Sequence, residues 1–217
     1  MLRFGQAEAP QLILSPPLFE EANRTRAFAV DLLRRLAARG IGGALPDLPG
    51  QGESLVPTEA ATLDDWRTAF AAAAATLPRP VHVAAIRGGA LIDTLADAAS
   101  RWHLAPAGGD ALVRDLLRTA SVAGDPAAVD LGDPNDDGPP LLLAGNRISR
   151  PLLRALHVAE RRLDEPLRTV RVASDPAVAD RKVEASPLWR RAEPDTDSAL
   201  TELLADDIAA WVASCAG

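Results

Sequence analysis

The fold of this chain is decided by the segment Val81-His-Val-Ala-Ala-Ile-Arg87-Gly88-Gly89-Ala90. Its first six residues are mostly apolar and predict a buried β-strand over 81–86. Gly88 and Gly89 then allow the chain to turn sharply into a helix, which we expect to end near Arg101. A strand that breaks at small residues and continues as a helix is the repeating unit of proteins with a parallel sheet. The segment therefore predicts an α/β fold, with Arg87 at the turn.

The rest of the chain repeats this alternation of short apolar runs with longer amphipathic stretches. We expect further strands over 11–15, 41–45, 141–144 and 167–173, and helices over 23–39, 62–77, 110–120, 151–162 and 201–214. Asn23, Thr62 and Ser149 are the expected helix N-caps. This order of elements predicts a doubly wound, mostly parallel sheet with helices on both faces.

One segment, Trp102–Gly138, lacks this regularity apart from the helix over 110–120. We expect it to be an irregular insertion, either the remnant of a cap or a docking surface for a partner. It is too short to be a full lid, so the lid of the predicted fold is reduced or absent. We expect the whole chain, residues 1–217, to form one domain.

Composition narrows the class of protein. The 217 residues are 47% hydrophobic and 24% charged, as in globular proteins, and the net charge of −7 argues against binding nucleic-acid phosphates. The one cysteine, Cys215, excludes an internal disulfide and a zinc site built from cysteine pairs. No apolar stretch reaches the ~20 residues of a membrane span. The first residues lack the apolar core of a signal peptide, so we expect a cytoplasmic protein.

The turn at Arg87 has the spacing of a nucleophile elbow, in which a nucleophile lies between small residues. Ala85 and Gly89 occupy the small positions, and Arg87 stands where a serine is expected. A guanidinium stays protonated and has no usable lone pair, so it cannot attack a carbonyl. A Ser-His-Asp triad also needs a histidine after the last strands, but the histidines, at positions 82, 103 and 157, all precede the fifth predicted strand. We expect them to be structural.

A second loop carries polar residues after the second predicted strand. Asp47-Leu-Pro-Gly50-Gln-Gly52-Glu-Ser54 is similar to the Asp-x-x-Gly-x-Gly-x-Ser loop of α/β-hydrolases, although a glycine turn with no special role is the alternative. It is a poor dinucleotide fingerprint because the third glycine is missing, and we predict neither a cofactor nor a metal. Ser54, Ser15 at the end of the first strand, and Asp47 remain weak candidates for catalysis.

Several stretches resemble one bacterial family, the second type of exosortase A system-associated hydrolases. They are Pro16-Pro-Leu-Phe-Glu20-Glu21-Ala-Asn23-Arg24, the loop Asp47–Ser54, the turn Ile86–Leu91, parts of Trp102–Arg118, and Ala144–Ser149. The resemblance implies an α/β-hydrolase fold and a link to the exosortase protein-sorting and exopolysaccharide machinery. It also implies that arginine at the elbow is a property of the family, although Ala85 and Gly88 depart from the family's glycine and leucine.

A cation at this turn requires a partner, because an unpaired buried charge costs several kcal/mol. One candidate is a carboxylate of the chain itself, from Glu20, Glu21 or Asp47, which would close the site. The other is a bound carboxylate, phosphate or sugar acid, held by Arg87 together with the backbone N–H groups of 88 and 89. An aromatic wall from Trp102 or Trp189 would fit such a site.

Two classes of function follow from these residues. The first is a binding or accessory protein of the exosortase-associated pathway, without a working triad and with an anion site at Arg87. The second is an ester or acyl hydrolase, or an acyltransferase, that uses Ser15 or Ser54 in a non-standard arrangement with Asp47. The missing late histidine favours the first class.

Overall fold

The computed structural model describes residues 1–122, 133, 138–191 and 194–215. The strands are β1 (Leu2–Phe4), β2 (Gln11–Ser15), β3 (Gly42–Leu45), β4 (Val81–Ile86), β5 (Ser100–Leu104), β6 (Leu141–Leu143), β7 (Asn146–Ile148), β8 (Leu167–Val172) and β9 (Arg181–Val183). The α-helices are α1 (Glu20–Ala38), α2 (Leu63–Ala75), α3 (Gly109–Val122), α4 (Arg150–His157) and α5 (Ser198–Ser214). Short 3₁₀ turns connect several of these elements.

The central sheet contains, in the described part of the chain, seven strands in the order β1-β3-β2-β4-β5-β8-β9. β1 pairs with β3 in antiparallel fashion, and every other neighbouring pair is parallel. The chain leaves β2 and β4 in opposite directions, which creates the switch point where open α/β sheets bind ligands. Ser15 at the end of β2 is paired with Ala85 near the end of β4, so the loops that follow these strands meet. The predicted doubly wound, mostly parallel sheet is confirmed.

Helices cover both faces of this sheet and bury it. On one face, Phe28, Leu32 and Leu36 of α1 pack in one apolar cluster with Leu204 of α5. On the other face, Trp66 and Phe70 of α2 belong to a second cluster with residues of α3 and α4. Burying these apolar stripes is the main contribution to folding, and the helical spacing predicted for α1 is confirmed. No helix among the described residues is long and apolar enough to cross a bilayer.

The prediction of an α-helix after the turn at Arg87 is wrong. The chain forms two 3₁₀ turns, Arg87–Leu91 and Asp93–Leu95, and then enters β5, which lies within the central sheet. This strand does not appear as an apolar run in the sequence because Arg101 and His103 alternate with apolar residues. Both polar side chains are buried. The prediction that the segment 102–138 is irregular is therefore wrong at its start, where β5 lies, and the helix predicted within it is confirmed as α3. Most of the remainder, 123–132 and 134–137, lies outside the described residues.

The strand expected over 141–144 is not part of the central sheet. β6 and β7 pair with each other as an antiparallel hairpin, joined by Ala144 and Gly145. Both turn residues have positive φ, 48° and 79°, as a two-residue hairpin turn of this type requires. The second hairpin strand, β7, and the edge strands β1 and β9 escaped prediction because strands of three residues carry almost no periodic signal.

The helix caps test the finer predictions. The Thr62 hydroxyl accepts a hydrogen bond from the Asp65 N–H at 3.0 Å, and the Asp65 carboxylate accepts one in return from the Thr62 N–H, so this N-cap is confirmed. The Ser149 hydroxyl accepts from the Leu152 N–H, which confirms the second. Asn23 is wrong as an N-cap, because α1 already begins at Glu20.

One buried carboxylate ties α5 to three strands. Asp207 accepts hydrogen bonds from the Trp102 indole at 2.8 Å, from two nitrogens of Arg168 at 2.9 and 2.8 Å, and from Arg181 at 2.6 Å. Burial alone would raise the pKa of Asp207, but these hydrogen bonds favour the charged form more strongly and lower the pKa to about 2. Trp102 is thereby fixed in the core, so the expectation that it forms a wall of the ligand site is wrong.

We expect Asp207→Asn to reduce the free energy of unfolding at neutral pH by about 2 kcal/mol, since two arginines lose a shared, desolvated partner. A depressed folded-state pKa contributes stability above the pKa of the unfolded chain, and that contribution is lost as the pH falls through about 2. Urea unfolding at pH 7 and at about pH 2 measures both effects.

The matched control is Asp206→Asn, the neighbouring position in α5, where the carboxylate is 66% exposed. Its loss should stay below about 0.5 kcal/mol, as for other exposed pairs. Equal losses in the two variants would show that the Asp207 cluster adds no stability of its own.

Candidate functional site

The turn after β4 is strained at one residue. Arg87 has a φ of 54°, in the left-handed region that a residue with a Cβ rarely adopts. The residue at this point projects from the carboxyl edge of the sheet, where the loop after β2 also arrives. Strain of this kind is found where a functional side chain has to be held in an exposed position on a sharp turn.

Gly89 lies where the backbones of two adjacent segments almost touch. A Cβ added to Gly89 would lie 2.5 Å from the carbonyl oxygens of Ser15 and Pro16. The Ser15 hydroxyl donates a hydrogen bond of 2.9 Å to the carbonyl oxygen of Gly89 and is fully buried. On the other side, a Cβ at Gly88 would lie 3.3 Å from the side chains of Leu18 and Leu112. Gly88 and Gly89 are thus packing positions, and Ser15 is a clamp between β2 and the turn.

The Arg87 guanidinium is enclosed by parts of four segments. Its Nε donates to both carboxylate oxygens of Glu21, at 3.2 and 3.3 Å, and its Nη1 donates to the carbonyl oxygen of Ala105 at 3.3 Å. The Trp189 ring covers one face, with the guanidinium carbon 5.2 Å from the ring centroid. Nη2 lies 3.9 Å from a carboxylate oxygen of Asp115, and the arginine side chain is 12% exposed.

Glu21 is charged at a cost. Burial raises its pKa above the ordinary value, and the nearby Asp115 carboxylate raises it further. The charge of Arg87 and its hydrogen bonds lower the pKa of Glu21, but they do not offset the burial. Of the two partners left open by the sequence, the structure therefore shows an internal carboxylate beside Arg87, and that carboxylate is incompletely stabilised.

A cavity of about 390 Å³ opens beside this pair. Its apolar wall comes from Leu18, Phe19, Leu112, Leu116 and Trp189, and its charged rim comes from Glu20, Glu21, Arg24, Asp115, Arg118 and Arg190. Its size is within the range of small-molecule sites.

The charges around the cavity do not balance. Glu21 is paired with Arg87, Glu20 with Arg24 at 3.5 Å, and Asp115 with Arg118 at 2.9 Å. Within the described part of the chain, the side chain of Arg190 forms neither a hydrogen bond nor an ion pair, and it is exposed. The cavity and Arg87 together therefore have one excess positive charge.

Other residues singled out from the sequence have partners elsewhere. Glu20 contacts Arg24 rather than Arg87. Asp47 binds the N-terminal amine and Arg26. The Ser54 hydroxyl accepts from the backbone N–H groups of residues 50 and 56, which makes it part of the glycine turn.

In the chain order Ser-Asp-His, the acid of a triad would follow β8 and the histidine would follow the last strand. Asp175 follows β8, and its carboxylate is held by Arg171 at 2.6 Å and by the N–H of Ala177. The loop from β9 to α5 contains Trp189 and no histidine. No imidazole therefore follows the last strand, where the order Ser-Asp-His would place the base.

Each of the three histidines lies within a strand or a helix. His82 in β4 is buried beside Ser100, with its Nδ1 2.8 Å from the hydroxyl, and burial lowers its pKa. His103 is fully buried against Asp93, with 2.9 Å between Nε2 and the carboxylate. His157 lies on α4. No group of three or more His, Cys, Asp or Glu residues in the described ranges could hold a metal ion.

Sequence reasoning missed three contributors to the site: Asp115, Arg190 and the carbonyl of Ala105. Asp115 lies on α3, within the helix predicted over 110–120, but its approach to Arg87 is a tertiary contact without local signal. Arg190 follows Trp189 in the loop between the last strand and the last helix, and this place in the chain order was its only signal. Trp189 was an open candidate for an aromatic wall, and it does line the cavity.

No protein-family model matches the chain, and neither does any curated protein. Solved structures do resemble it. Est1E from Butyrivibrio proteoclasticus with bound ferulic acid is 18% identical, with 96% of this chain and 90% of that chain aligned at a TM-score of 0.63. The chain has the α/β-hydrolase fold.

Two further structures support this assignment. Alpha/beta hydrolase domain-containing protein 10 from mouse is 15% identical, with 98% and 93% of the two chains aligned and a TM-score of 0.62. The monoacylglycerol lipase of Paleococcus ferrophilus is 16% identical, with 99% and 98% aligned and a TM-score of 0.59. At these identities the likeness establishes the fold, and chemistry has to be argued from the site.

Replacing Gly89 with alanine tests the close approach of β2 and the turn. We expect Gly89→Ala to destabilise the fold by about 3 kcal/mol or more, because the added methyl group meets backbone oxygens that cannot move independently. The control is Gly108→Ala, where the added Cβ has one neighbour, a carboxylate oxygen of Asp110 at 3.3 Å. Chemical denaturation compares them; similar losses would contradict a tight approach at position 89.

The pairing of Arg87 with Glu21 can be measured by a double-mutant cycle. Arg87→Met leaves the Glu21 carboxylate buried without its cation, and we expect a loss of about 2 kcal/mol. Adding Glu21→Gln to that variant should recover part of the loss, with a coupling energy of about 1 kcal/mol in urea unfolding. Strictly additive effects would mean that the two side chains do not stabilise each other.

Proposed function

We propose that this chain is a non-catalytic binding protein with the α/β-hydrolase fold, in which Arg87 replaces the nucleophile. Its resemblance to the second type of exosortase A system-associated hydrolases suggests an accessory role in that system, in the cytoplasm. The proposal rests chiefly on one observation: the strained turn after β4 presents a guanidinium that is already paired with Glu21.

The residues around the turn support a role without covalent catalysis. A nucleophile needs a lone pair and a nearby base, and the Arg87 side chain offers neither. The loop after β9 places Trp189 against Arg87, in the part of the chain order that belongs to the catalytic histidine. An indole has one weakly acidic N–H and no basic nitrogen, so it cannot relay a proton from a hydroxyl.

A small anion is the ligand that best fits the cavity. The cavity has one excess positive charge, at Arg190, and Nη2 of Arg87 has no hydrogen-bond partner in the described ranges, with a carboxylate oxygen of Asp115 3.9 Å away. A carboxylate, a phosphate or the acid group of a sugar would supply the missing charge. Leu18 and Leu112 pack against Gly88, so the guanidinium is a better donor for this ligand than the backbone N–H groups of Gly88 and Gly89.

The hydrolase alternative draws support from the esterases and lipases among the structural relatives, but it needs a reactive hydroxyl. Ser15 is fully buried and donates to Gly89, and Ser54 accepts two hydrogen bonds from its own turn. We therefore expect no labelling by a serine-directed fluorophosphonate and no hydrolysis of p-nitrophenyl acetate. Arg87→Ser should remain inactive as well, because no base follows the last strand. Labelling that Ser15→Ala or Ser54→Ala abolishes would establish the alternative.

Calorimetric titration of the protein with acetate, inorganic phosphate and glucuronate tests the proposed anion site. We expect one of these anions to bind, and Arg190→Gln to weaken that binding by about tenfold as the excess charge is removed. Arg34→Gln is the control, since Arg34 is an exposed arginine of α1 that does not line this cavity. Equal weakening by both substitutions, or no binding of any of the three anions, would contradict an anion site here.

A further inference from the structure

Glu21 accepts hydrogen bonds from one of the two nitrogens that form the Nε–Nη2 edge of Arg87. Nε and Nη2 form one edge of an arginine, and a carboxylate normally accepts from both in a fork. Both oxygens of Glu21 lie near Nε, at 3.2 and 3.3 Å, while Nη2 forms no hydrogen bond in the described part of the chain. Glu21 is anchored at the first residues of α1 and does not reach the full fork.

The contacts that Arg87 makes with Trp189 and Ala105 do not occupy its Nε–Nη2 edge. Trp189 covers a face of the guanidinium and Ala105 accepts from Nη1, while the Nε–Nη2 edge faces Glu21 and Asp115, two carboxylates that line the cavity. A stacked guanidinium keeps its in-plane donors, and a planar carboxylate matches them best. Asp115, at 3.9 Å from Nη2, is already paired with Arg118 and does not complete the fork.

We propose that the Glu21 carboxylate is an internal stand-in for the ligand, and that the site takes a small carboxylic acid that displaces Glu21 from the Nε–Nη2 edge of Arg87. This inference rests on the proposed anion site and specifies its ligand class. Arg190 lines the same cavity as Glu21 and has no ion pair of its own in the described ranges, so it can attract the displaced carboxylate. With ligand bound, the four arginines and three carboxylates at the site become charge-balanced.

The electrostatics of Glu21 agree with a displaceable carboxylate. Its pKa is raised by burial and by Asp115, so it is held in the charged form less firmly than an ordinary glutamate. The charged groups that face or border it are Arg87 from the turn, Asp115 and Arg118 from α3, Arg190 from the loop before α5, and Glu20 and Arg24 from α1. None of the others is a carboxylate in contact with Nε.

The experiment compares acetate binding to the full chain, to Glu21→Gln and to Glu20→Gln, by calorimetry at neutral pH. Removing the internal competitor should tighten acetate binding about tenfold in Glu21→Gln, as expected when a first step that empties the site is no longer needed. Glu20→Gln removes the same charge from the cavity but does not contact Arg87, so it measures the purely electrostatic gain, which the gain in Glu21→Gln should clearly exceed. If the parent binds acetate and Glu21→Gln binds it equally or more weakly, the stand-in role is wrong and the anion site stands. If none of the three proteins binds acetate, the stand-in role is wrong, and binding of phosphate or glucuronate then decides whether the anion site stands.

A second measurement keeps the inference testable if the amide of Glu21→Gln still blocks Arg87. Glu21→Ala leaves a carboxylate-sized gap, and acetate should raise its thermal unfolding midpoint more than that of the parent or of Glu20→Ala. The absence of this acetate-dependent gain would overturn the stand-in role.

The pH dependence provides a readout that a purely structural contact would not change. Sulfate stays an anion across the range, so its own charge does not change with pH. Because burial raises the pKa of Glu21, this carboxylate is protonated earlier than an ordinary glutamate as the pH falls, and sulfate should then bind the parent more tightly. Glu21→Gln should lose most of that pH dependence; an unchanged profile would contradict the inference.

Discussion

The site depends on the contact between two backbones at Gly89. β2 and β4 are adjacent and parallel, and the chain leaves their ends at the same point, so the carbonyl oxygens of Ser15 and Pro16 lie where any side chain at position 89 would be. The chain passes these oxygens with Arg87, two residues before Gly89, in the left-handed region at a positive φ. The direction in which Arg87 projects is thus fixed by main-chain packing and not by its own interactions.

A charged residue in that position determines the chemistry of its surroundings. The guanidinium cannot be neutralised, so the segments around it supply an acceptor from Ala105, a carboxylate from Glu21 and a π-face from Trp189. Each partner comes from a different segment of the chain. The same edge of the sheet that carries catalytic groups in hydrolytic enzymes of this fold carries an ion pair here.

The sequence predicted the parts of this structure that depend on local chemistry. The strand 81–86, the glycines after it and the cap at Thr62 each follow from residues close together in the chain, and the structure has them. It could not predict β5 as a strand, because buried Arg101 and His103 mimic a polar segment and are tolerated only through contacts with residues such as Asp93. The approach of Asp115 to Arg87 had no signal either, since it is brought there by the packing of a whole helix.

The stacking of Arg87 on Trp189 gives the site an optical property. Tryptophan emission responds to charge near the indole, and the ring of Trp189 both stacks on the guanidinium and lines the cavity. The other three indoles donate hydrogen bonds away from the cavity, Trp66 to Pro49, Trp102 to Asp207 and Trp211 to Arg101. Fluorescence that changes when an anion is added would therefore originate largely from one residue, and the unmodified protein would carry its own sensor of occupancy.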